Sequence, residues 1–121
     1  QNDAPVAFAR EVLGSQKLVG RSTTNKQELN KAIAEKADYV GVGPFYETPT
    51  KPGKAALTQE YVDYVKAKCP VPWFAIGGID LNNLNGILST GAQRVSVVRA
   101  IMQAEQPTQV TRQFLSQLVR R

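Results

Sequence analysis

Short apolar runs alternate along the chain with longer segments in which apolar residues recur every three or four positions. The short runs predict four β-strands, over residues 17–20, 38–42, 71–76 and 95–98. The recurring pattern predicts a helix after each strand, and a further helix over residues 4–13 with Val6, Ala9, Val12 and Leu13 on one side. Strands that are short and apolar on both faces are typical of a parallel sheet covered by helices.

Polar residues mark the predicted helix starts. The run STTN at residues 22–25 follows the first strand and must include an N-cap for the second helix. Thr58 is expected to cap the helix that runs to about Lys68, and Asp80 the helix after the third strand. Four polar side chains exceed what one cap requires, so one member of the run at 22–25 is a candidate for ligand binding.

Four strand–helix units fit two architectures, a small doubly wound sheet or half of an eight-unit barrel. Residues suited to binding follow the carboxyl ends of the predicted strands: Ser22, 43–51, Gly77-Gly78 and Arg99. In a barrel these loops share the face that carries active sites. We therefore expect an α/β fold, a TIM-type (β/α)8 barrel of which residues 1–121 supply the second half, strands 5–8 with their helices. The chain begins at Gln1 rather than at a methionine, and we expect it to lack the N-terminal half of the barrel.

The composition is that of a globular domain, with 42% hydrophobic and 21% charged residues. No apolar run approaches a membrane span and no signal-peptide pattern is present, so no membrane partner is expected. Cys69 is alone, which excludes an internal disulfide and favours a cytoplasmic location. The net charge of +5 is spread over predicted outer helix faces without interleaved aromatic residues, so we expect small anionic ligands rather than nucleic acid.

The chain contains no histidine. The usual general base near neutral pH is therefore missing, and cysteine–histidine nucleophiles and the common zinc sites are excluded within this chain. Any catalysis by these residues is expected to depend on electrostatics and positioning.

The segment at residues 37–51, ADYVGVGPFYETPTK, joins a strand to a turn rich in hydroxyl groups. Thr48 and Thr50 can donate hydroxyl hydrogen bonds, and Pro49 fixes the backbone between them. Lys51 adds a cation suited to a phosphate or pyrophosphate oxygen. A rigid proline turn with incidental polarity is the alternative, and we favour the interpretation as an anion-binding turn.

Two further loops carry a phosphate-binding pattern. Gly77-Gly78 leaves the backbone bare just ahead of a helix start, although such a pair alone is also an ordinary tight turn. Val98-Arg99 follows the fourth predicted strand. Barrel phosphate sites are often formed by the loops after the last two strands, so the two loops together indicate such a site.

The segments ADYVGVGPFYETPTK, VPWFAIGGI and VSVVRAI, together with GRST, resemble the thiamine-phosphate synthase family of barrels. The match covers nearly the whole chain, since Gln1-Asn2-Asp3 resembles the end of the family's fourth strand. The resemblance implies that hydroxymethylpyrimidine pyrophosphate and thiazole phosphate are joined to give thiamine phosphate and pyrophosphate. It implies Mg²⁺, which helps the pyrophosphate leave while the pyrimidinylmethyl carbon becomes cation-like and the thiazole nitrogen attacks it.

The resemblance also implies roles for individual residues. Asp3 would be a Mg²⁺ ligand, although its position ahead of Pro5 is locally that of a helix N-cap. Ser22 and Lys51 would hold the pyrophosphate and so act in catalysis. The thiazole phosphate would be held by loop residues: Thr48, Pro49, Thr50, Gly78, Val98 and Arg99.

The chain departs from the family pattern at Arg99, where serine is common, and a backbone N–H at this position would serve with either residue. The family's remaining Mg²⁺ ligand and pyrimidine-side residues come from the first half of the barrel. The isolated chain is therefore expected to be inactive, and to pair with that half or with copies of itself. A thiazole tautomerase-like barrel and a non-catalytic phosphate-binding half-domain are the alternatives.

Overall fold

The computed structural model describes residues 5–46 and 57–119, in which helices and short strands alternate. The strands are β1 (Gly20–Thr23), β2 (Tyr39–Val42), β3 (Trp73–Ile76) and β4 (Val95–Ser96). The helices are α1 (Val6–Leu13), α2 (Lys26–Ala34), α3 (Gln59–Lys68), α4 (Leu84–Ser89), α5 (Arg99–Met102) and α6 (Pro107–Val119). Over these two described ranges, no helix is both long and apolar enough to cross a membrane.

The four strands form one parallel sheet in the order β1-β2-β3-β4. Its register pairs Gly20 with Tyr39 and Val40 with Trp73. Each strand lies beside its predecessor in the chain, so the described sheet lacks the reversal of strand order that defines a doubly wound fold. The predicted α/β class with a parallel sheet is confirmed.

The first strand lies later in the chain than predicted, over Gly20–Thr23 instead of residues 17–20. Ser22 and Thr23 therefore belong to the strand and not to the loop after it. Thr23 is only 1% exposed, and its hydroxyl donates to the carbonyl oxygen of Gly41 at 2.9 Å. A buried polar side chain with its hydrogen bond made is compatible with a strand position that the apolar pattern does not reveal. β4 is shorter than predicted and ends at Ser96.

Side-chain caps fix the starts of two helices. Asn25 caps α2, because its Oδ1 accepts a hydrogen bond from the N–H of Glu28 at 2.9 Å. The Glu28 carboxylate in turn accepts from the N–H of Thr24 at 2.6 Å. Thr58 Oγ1 accepts from the N–H of Tyr61 at 3.2 Å and starts α3 where the sequence predicted. The polar run at residues 22–25 therefore does contain a cap.

The hydrophobic core lies between the helices and one face of the sheet. Val40 of β2 and Ala75 of β3 point into it and are completely inaccessible to solvent. Leu29 of α2 and Leu84 of α4 are equally buried on the helix side. Trp73 packs against the clusters around both pairs, so the core is continuous from α2 to α4.

The opposite face of the sheet has no covering layer among the residues that the structure describes. Tyr39 on this face is 39% exposed, although its ring makes an edge-to-face contact with Phe74 at a centroid distance of 5.8 Å. Leu18, just ahead of β1, is 77% exposed. Exposed apolar and aromatic side chains that are contiguous in this way are typical of a surface that another segment or molecule covers.

Helix α1 only partly follows its predicted pattern. Val6 is buried in the core, but Val12 and Leu13 are 67% and 52% exposed, so the prediction that they share its buried side is wrong. The helix touches the core through its first turns, where Ala9 also packs. The Glu35 carboxylate accepts a hydrogen bond from the N–H of Val6 at 3.2 Å and helps to hold the start of the helix.

Candidate functional site

Ser22 lies on the uncovered face of the sheet. It is the third residue of β1, it is exposed, and it pairs in register with Gly41 of β2. A Cβ atom at Gly41 would lie 3.7 Å from Ser22 Oγ and 3.9 Å from Ile76 Cγ2. Because the glycine has no side chain, it leaves a gap between strands β1 and β3. A ligand in this gap could accept a hydrogen bond from the Ser22 hydroxyl.

A concavity of about 710 Å³ runs along this face. Near the carboxyl ends of the strands it is lined by Ser22, Ile76 and Ser96, and at the other end by Asp38 and Tyr39. A space of this size is large enough for a small phosphorylated molecule. Serine hydroxyls at one end and an apolar wall along the middle would suit an anionic group attached to a ring.

The Gly77-Gly78 turn follows β3 directly. Gly77 and Gly78 both have positive φ angles, of 108° and 66°, a conformation that glycine adopts without strain. The carbonyl oxygen of Gly77 accepts a hydrogen bond from the N–H of Tyr46 at 3.1 Å. Asp80 does not start α4 as predicted, since that helix begins at Leu84 and the Asp80 carboxylate instead caps the preceding turn.

Val98 and Arg99 join β4 to helix α5. Val98 is 61% exposed, and Arg99 is also exposed as the first residue of the helix. The carbonyl oxygen of Val98 accepts from the N–H groups of Ile101 and Met102, at 3.2 and 2.8 Å. The junction thus presents a free cation and backbone at the carboxyl end of the sheet, since Arg99 has no salt bridge to any described residue.

The described site residues fall into two groups. Ser22 lines the concavity, whereas Gly78, Val98 and Arg99 are not among its lining residues and lie in the loops that follow β3 and β4. Both groups lie at the carboxyl edge, because the strands are parallel. The other predicted site residues lie outside the described residues, and their roles stay predictions: Asp3, Thr48, Pro49, Thr50 and Lys51.

Threonines hold the end of β1 against the neighbouring strand. Thr24 Oγ1 donates to the carbonyl oxygen of Gly43 at 3.1 Å, and the N–H of Gly43 donates to the carbonyl oxygen of Thr23 at 3.2 Å. Thr23 also makes a buried hydrogen bond with the Tyr61 hydroxyl. Burial raises the pKa of Tyr61 to about 12, so it stays a neutral donor. These bonds fix the backbone that carries Ser22.

The sequence analysis did not predict the positions of two residues near the site. Ser96 on β4 shares the concavity with Ser22, but a single serine in an apolar strand gave no distinct signal. Asn83 donates from its side-chain amide to the carbonyl oxygen of Gly78 at 2.8 Å. Its spacing of three residues from Asp80, the spacing of a capping box, is the signal that could have identified it.

The described part of the chain supplies groups that bind anions and no carboxylate cluster for a metal. Over residues 5–46 and 57–119, no three Asp, Glu, Cys or His side chains come together as metal ligands. Hydroxyl and backbone N–H donors predominate at the carboxyl edge, and Arg99 at the start of α5 adds a guanidinium. The arrangement can bind phosphate or stabilise a leaving phosphate.

Comparison with known proteins gives a consistent result. Residues 1–101 match a family model described as thiamine monophosphate synthase. The chain is 63% identical over 120 residues to a thiamine-phosphate synthase of Nostoc punctiforme, and 58% identical to one of Synechocystis sp.. It is 43% identical to a thiamine-phosphate synthase of Acidothermus cellulolyticus, covering 98% of this chain and 57% of that protein.

A solved structure is also similar. Thiamine phosphate pyrophosphorylase from Pyrococcus furiosus superimposes with a TM-score of 0.81 at 27% identity, covering 97% of this chain and 57% of that one. The relatives from Nostoc punctiforme and Synechocystis sp. match 99% of this chain, but the match covers only 34% and 35% of their own lengths. This chain therefore spans about a third of the length of those curated relatives.

Proposed function

This chain belongs to the thiamine monophosphate synthase family, and on that premise we propose that the full-length protein is a thiamine-phosphate synthase. It joins hydroxymethylpyrimidine pyrophosphate to thiazole phosphate and releases pyrophosphate. The geometric observation that carries the proposal is the placement of Ser22, Gly78 and Val98-Arg99 at one edge of a parallel sheet. Each is a donor suited to phosphate, and the family's two substrates both carry phosphate groups.

The proposed reaction needs a stabilised leaving group more than an acid or a base. The bond between the pyrimidinylmethyl carbon and the pyrophosphate oxygen breaks, and its electron pair leaves with the pyrophosphate. The thiazole nitrogen then forms the new bond to that carbon. Ser22 donates its hydroxyl hydrogen to a pyrophosphate oxygen, and Lys51 pairs with the same group. A chain without histidine is compatible with this chemistry.

The loops after β3 and β4 form the other half of the proposed site. The backbone N–H groups of Gly78 and of the Val98-Arg99 junction donate to the thiazole phosphate, together with Thr48 and Thr50. The guanidinium of Arg99 adds a charge where the family commonly has serine. Two adjacent parallel strands support this assignment, because their carboxyl ends bring both loops to the same edge.

Dependence on Mg²⁺ and a cytoplasmic location are part of the proposal. The resemblance assigns Asp3 as a metal ligand, and the metal would assist departure of the pyrophosphate. Residues 5–46 and 57–119 offer no set of metal ligands. The cytoplasmic location rests on the single cysteine, which is typical of proteins from reducing compartments.

We further propose that the described sheet is half of a (β/α)8 barrel. Three observations support this: the sequential strand order, the face carrying Tyr39 and Phe74, which no described residue covers, and the outer edges of β1 and β4, which pair with no other described strand. In a closed barrel, strands from the rest of the polypeptide would pair with both edges, and their side chains would fill the part of the concavity away from the carboxyl ends of the strands. The N-terminal half would then complete the site from the opposite side.

A direct assay on the full-length protein tests the function. We expect thiamine phosphate to form from both substrates in the presence of Mg²⁺, and product formation to cease when the ion is chelated. A folded full-length protein that binds thiazole phosphate without turnover would instead favour the non-catalytic phosphate-binding alternative. A folded protein that neither binds the substrates nor forms product would refute the proposal.

A further inference from the structure

Asn83 connects the turn before α4 to the glycine pair after β3. Its side-chain Nδ2 donates to the carbonyl oxygen of Gly78 at 2.8 Å, and its Oδ1 accepts from the N–H of Asp80 at 2.9 Å. Both ends of the amide are therefore engaged, one with a carbonyl and one with an N–H. This pairing is possible in only one orientation of the amide group, so the side chain is held at both ends.

Asp80 completes the arrangement from the other side. Its carboxylate accepts from the N–H groups of Asn82 and Asn83, at 2.8 and 3.0 Å. Asp80 and Asn83 thus bond reciprocally, each side chain to the other's backbone, as in a capping box. Asn82, between them, contributes its backbone only and exposes its side chain. The turn is consequently fixed relative to the start of α4.

The consequence for the loop follows from the planarity of the peptide group. The carbonyl of one residue and the N–H of the next point in opposite directions in a trans peptide. The bond from Tyr46 N–H to the Gly77 carbonyl therefore sets the direction of the Gly78 N–H. In the same way, the bond from Asn83 to the Gly78 carbonyl sets the direction of the Ile79 N–H.

The N–H groups and the carbonyl oxygens of this loop differ in their hydrogen bonding. Within the described residues, neither the Gly78 nor the Ile79 N–H has an acceptor, whereas the carbonyls of Gly77 and Gly78 are both engaged. The two carbonyl oxygens are therefore bonded within the protein, whereas the two N–H groups have no partner among the described residues. Successive backbone donors of this kind form a concave anion-binding surface when the residues between them adopt positive φ.

We propose that Asn83 is a positioning residue that aims the Ile79 N–H, beside that of Gly78, at the phosphate of the thiazole substrate. This inference rests on the proposed function for the identity of the ligand. Asn83 does not touch the substrate; it acts by holding the Gly78 carbonyl away from the anion. Without it, the Gly78–Ile79 peptide is free to rotate, and its carbonyl oxygen can face the phosphate and repel it.

The test compares substitutions at Asn83 with the same substitutions at Asn82 in the full-length protein. Asn83→Ala removes the bond to Gly78, and Asn82→Ala removes an exposed amide one residue away. We expect Asn83→Ala to raise the KM for thiazole phosphate by roughly fivefold to fifteenfold, with kcat and the KM for the pyrimidine substrate nearly unchanged. The Asn82→Ala variant should match the unmodified protein.

A second pair of variants keeps the test decisive if Asn83→Ala fails to fold. Asn83→Asp keeps the shape and the acceptor for Asp80 N–H but replaces the donor to Gly78, and Asn82→Asp adds the same charge at the neighbouring exposed position. We expect the first to weaken binding of inorganic phosphate, measured by calorimetry, more than the second. A Tm measured for each variant separates a loss of stability, which would affect both substrates, from the selective effect expected here.

The outcomes distinguish this inference from the proposed function. If the unmodified protein binds inorganic phosphate but forms no product, the synthase function is wrong, and the comparison of phosphate affinities still decides the role of Asn83. If the Asn83 and Asn82 variants bind phosphate equally, the inference is overturned while the function stands. An unmodified protein that does not bind phosphate would also overturn it.

Discussion

The hydroxyl of Tyr61 on α3 donates a buried hydrogen bond to Thr23 Oγ1 at the end of β1. The direction follows because the single hydroxyl hydrogen of Thr23 already goes to the carbonyl oxygen of Gly41 at 2.9 Å. The resulting chain of donors runs from a helix through β1 to β2. It fixes the strand position next to Ser22, which itself faces the concavity.

Removing the Tyr61 hydroxyl should destabilise the protein. Tyr61→Phe deletes the donor and leaves Thr23 Oγ1 with an unsatisfied buried acceptor, so we expect a loss of about 1 kcal/mol in the free energy of unfolding. Tyr64→Phe is the matched control, because the Tyr64 hydroxyl donates to an exposed Asn30 at 2.8 Å. Its effect should stay below about 0.5 kcal/mol in urea denaturation. Equal losses for the two variants would argue against the buried relay.

Ser22→Ala should reduce catalysis without unfolding the protein. Ser22 is exposed, so the change removes little packing, but it deletes a donor proposed to bind the pyrophosphate. Hydrogen bonds to charged groups are worth enough to lower turnover of the full-length protein by roughly 10- to 150-fold. Ser116→Ala on α6 is the control, since the Ser116 hydroxyl donates to the carbonyl oxygen of Gln113 on an exposed helix surface. Unchanged turnover in Ser22→Ala would exclude a role for its hydroxyl.

The apolar pattern predicted the helices and their buried faces well where packing is the dominant interaction. On α6, Phe114 is buried and Val110 and Leu118 pack against the same cluster, as their spacing predicted. Such positions are encoded locally, because a helix that buries one stripe must repeat apolar residues with the helical period. The parallel sheet followed from the same reasoning, since the predicted strands are apolar on both faces.

The pattern failed at β1, and the physical reason is specific. The strand Gly20–Thr23 contains no aliphatic or aromatic side chain, and its buried member, Thr23, is accommodated by hydrogen bonds to Tyr61 and Gly41. Those partners lie far away in the sequence, so no local pattern reveals them. The bond between Asn83 and Gly78 was missed for a different reason: its partners are close in the sequence, but it depends on the backbone conformation of a glycine.

The Asp38 carboxylate should make stability depend on pH. The N–H of Val19 and the guanidinium of Arg10 each lie 2.8 Å from Asp38 Oδ2, and both favour the charged form. They hold the pKa of Asp38 below its ordinary value of 3.8. A lowered pKa in the folded state contributes stability that is fully present above the ordinary value and is lost as the pH falls through the lowered pKa.

Asp38→Asn tests this dependence. We expect the variant to be less stable than the unmodified protein at pH 7, and the difference to shrink steadily as the pH falls below about 4. Urea denaturation at a series of pH values measures both curves. Asp63→Asn on the exposed face of α3 is the control, because Asp63 lacks a cationic partner among the described residues. A stability difference for Asp38→Asn that is constant with pH would contradict the assignment.

Gly77 and Gly14 offer a matched test of how tightly the loop after β3 is packed. Both have positive φ, of 108° and 81°, so alanine is strained at either position. A Cβ at Gly14 would meet nothing within 4 Å, whereas at Gly77 it would lie 2.6 Å from Pro44 Cα, part of the backbone. Gly14→Ala should therefore cost only the backbone strain, about 1–3 kcal/mol in the free energy of unfolding.

Gly77→Ala should cost the same strain and in addition displace the Pro44 backbone, since the backbone atom cannot swing aside as a flexible side chain can. We expect its loss to exceed that of Gly14→Ala by about 1 kcal/mol or more, as for other overpacked sites. The displacement would also turn the Gly78 N–H, so phosphate binding should weaken in Gly77→Ala and stay unchanged in Gly14→Ala. Equal losses of stability and equal phosphate affinities would mean that the loop after β2, with Pro44, can move away from the loop after β3, with Gly77. The close contact between these two residues would then not shape the site.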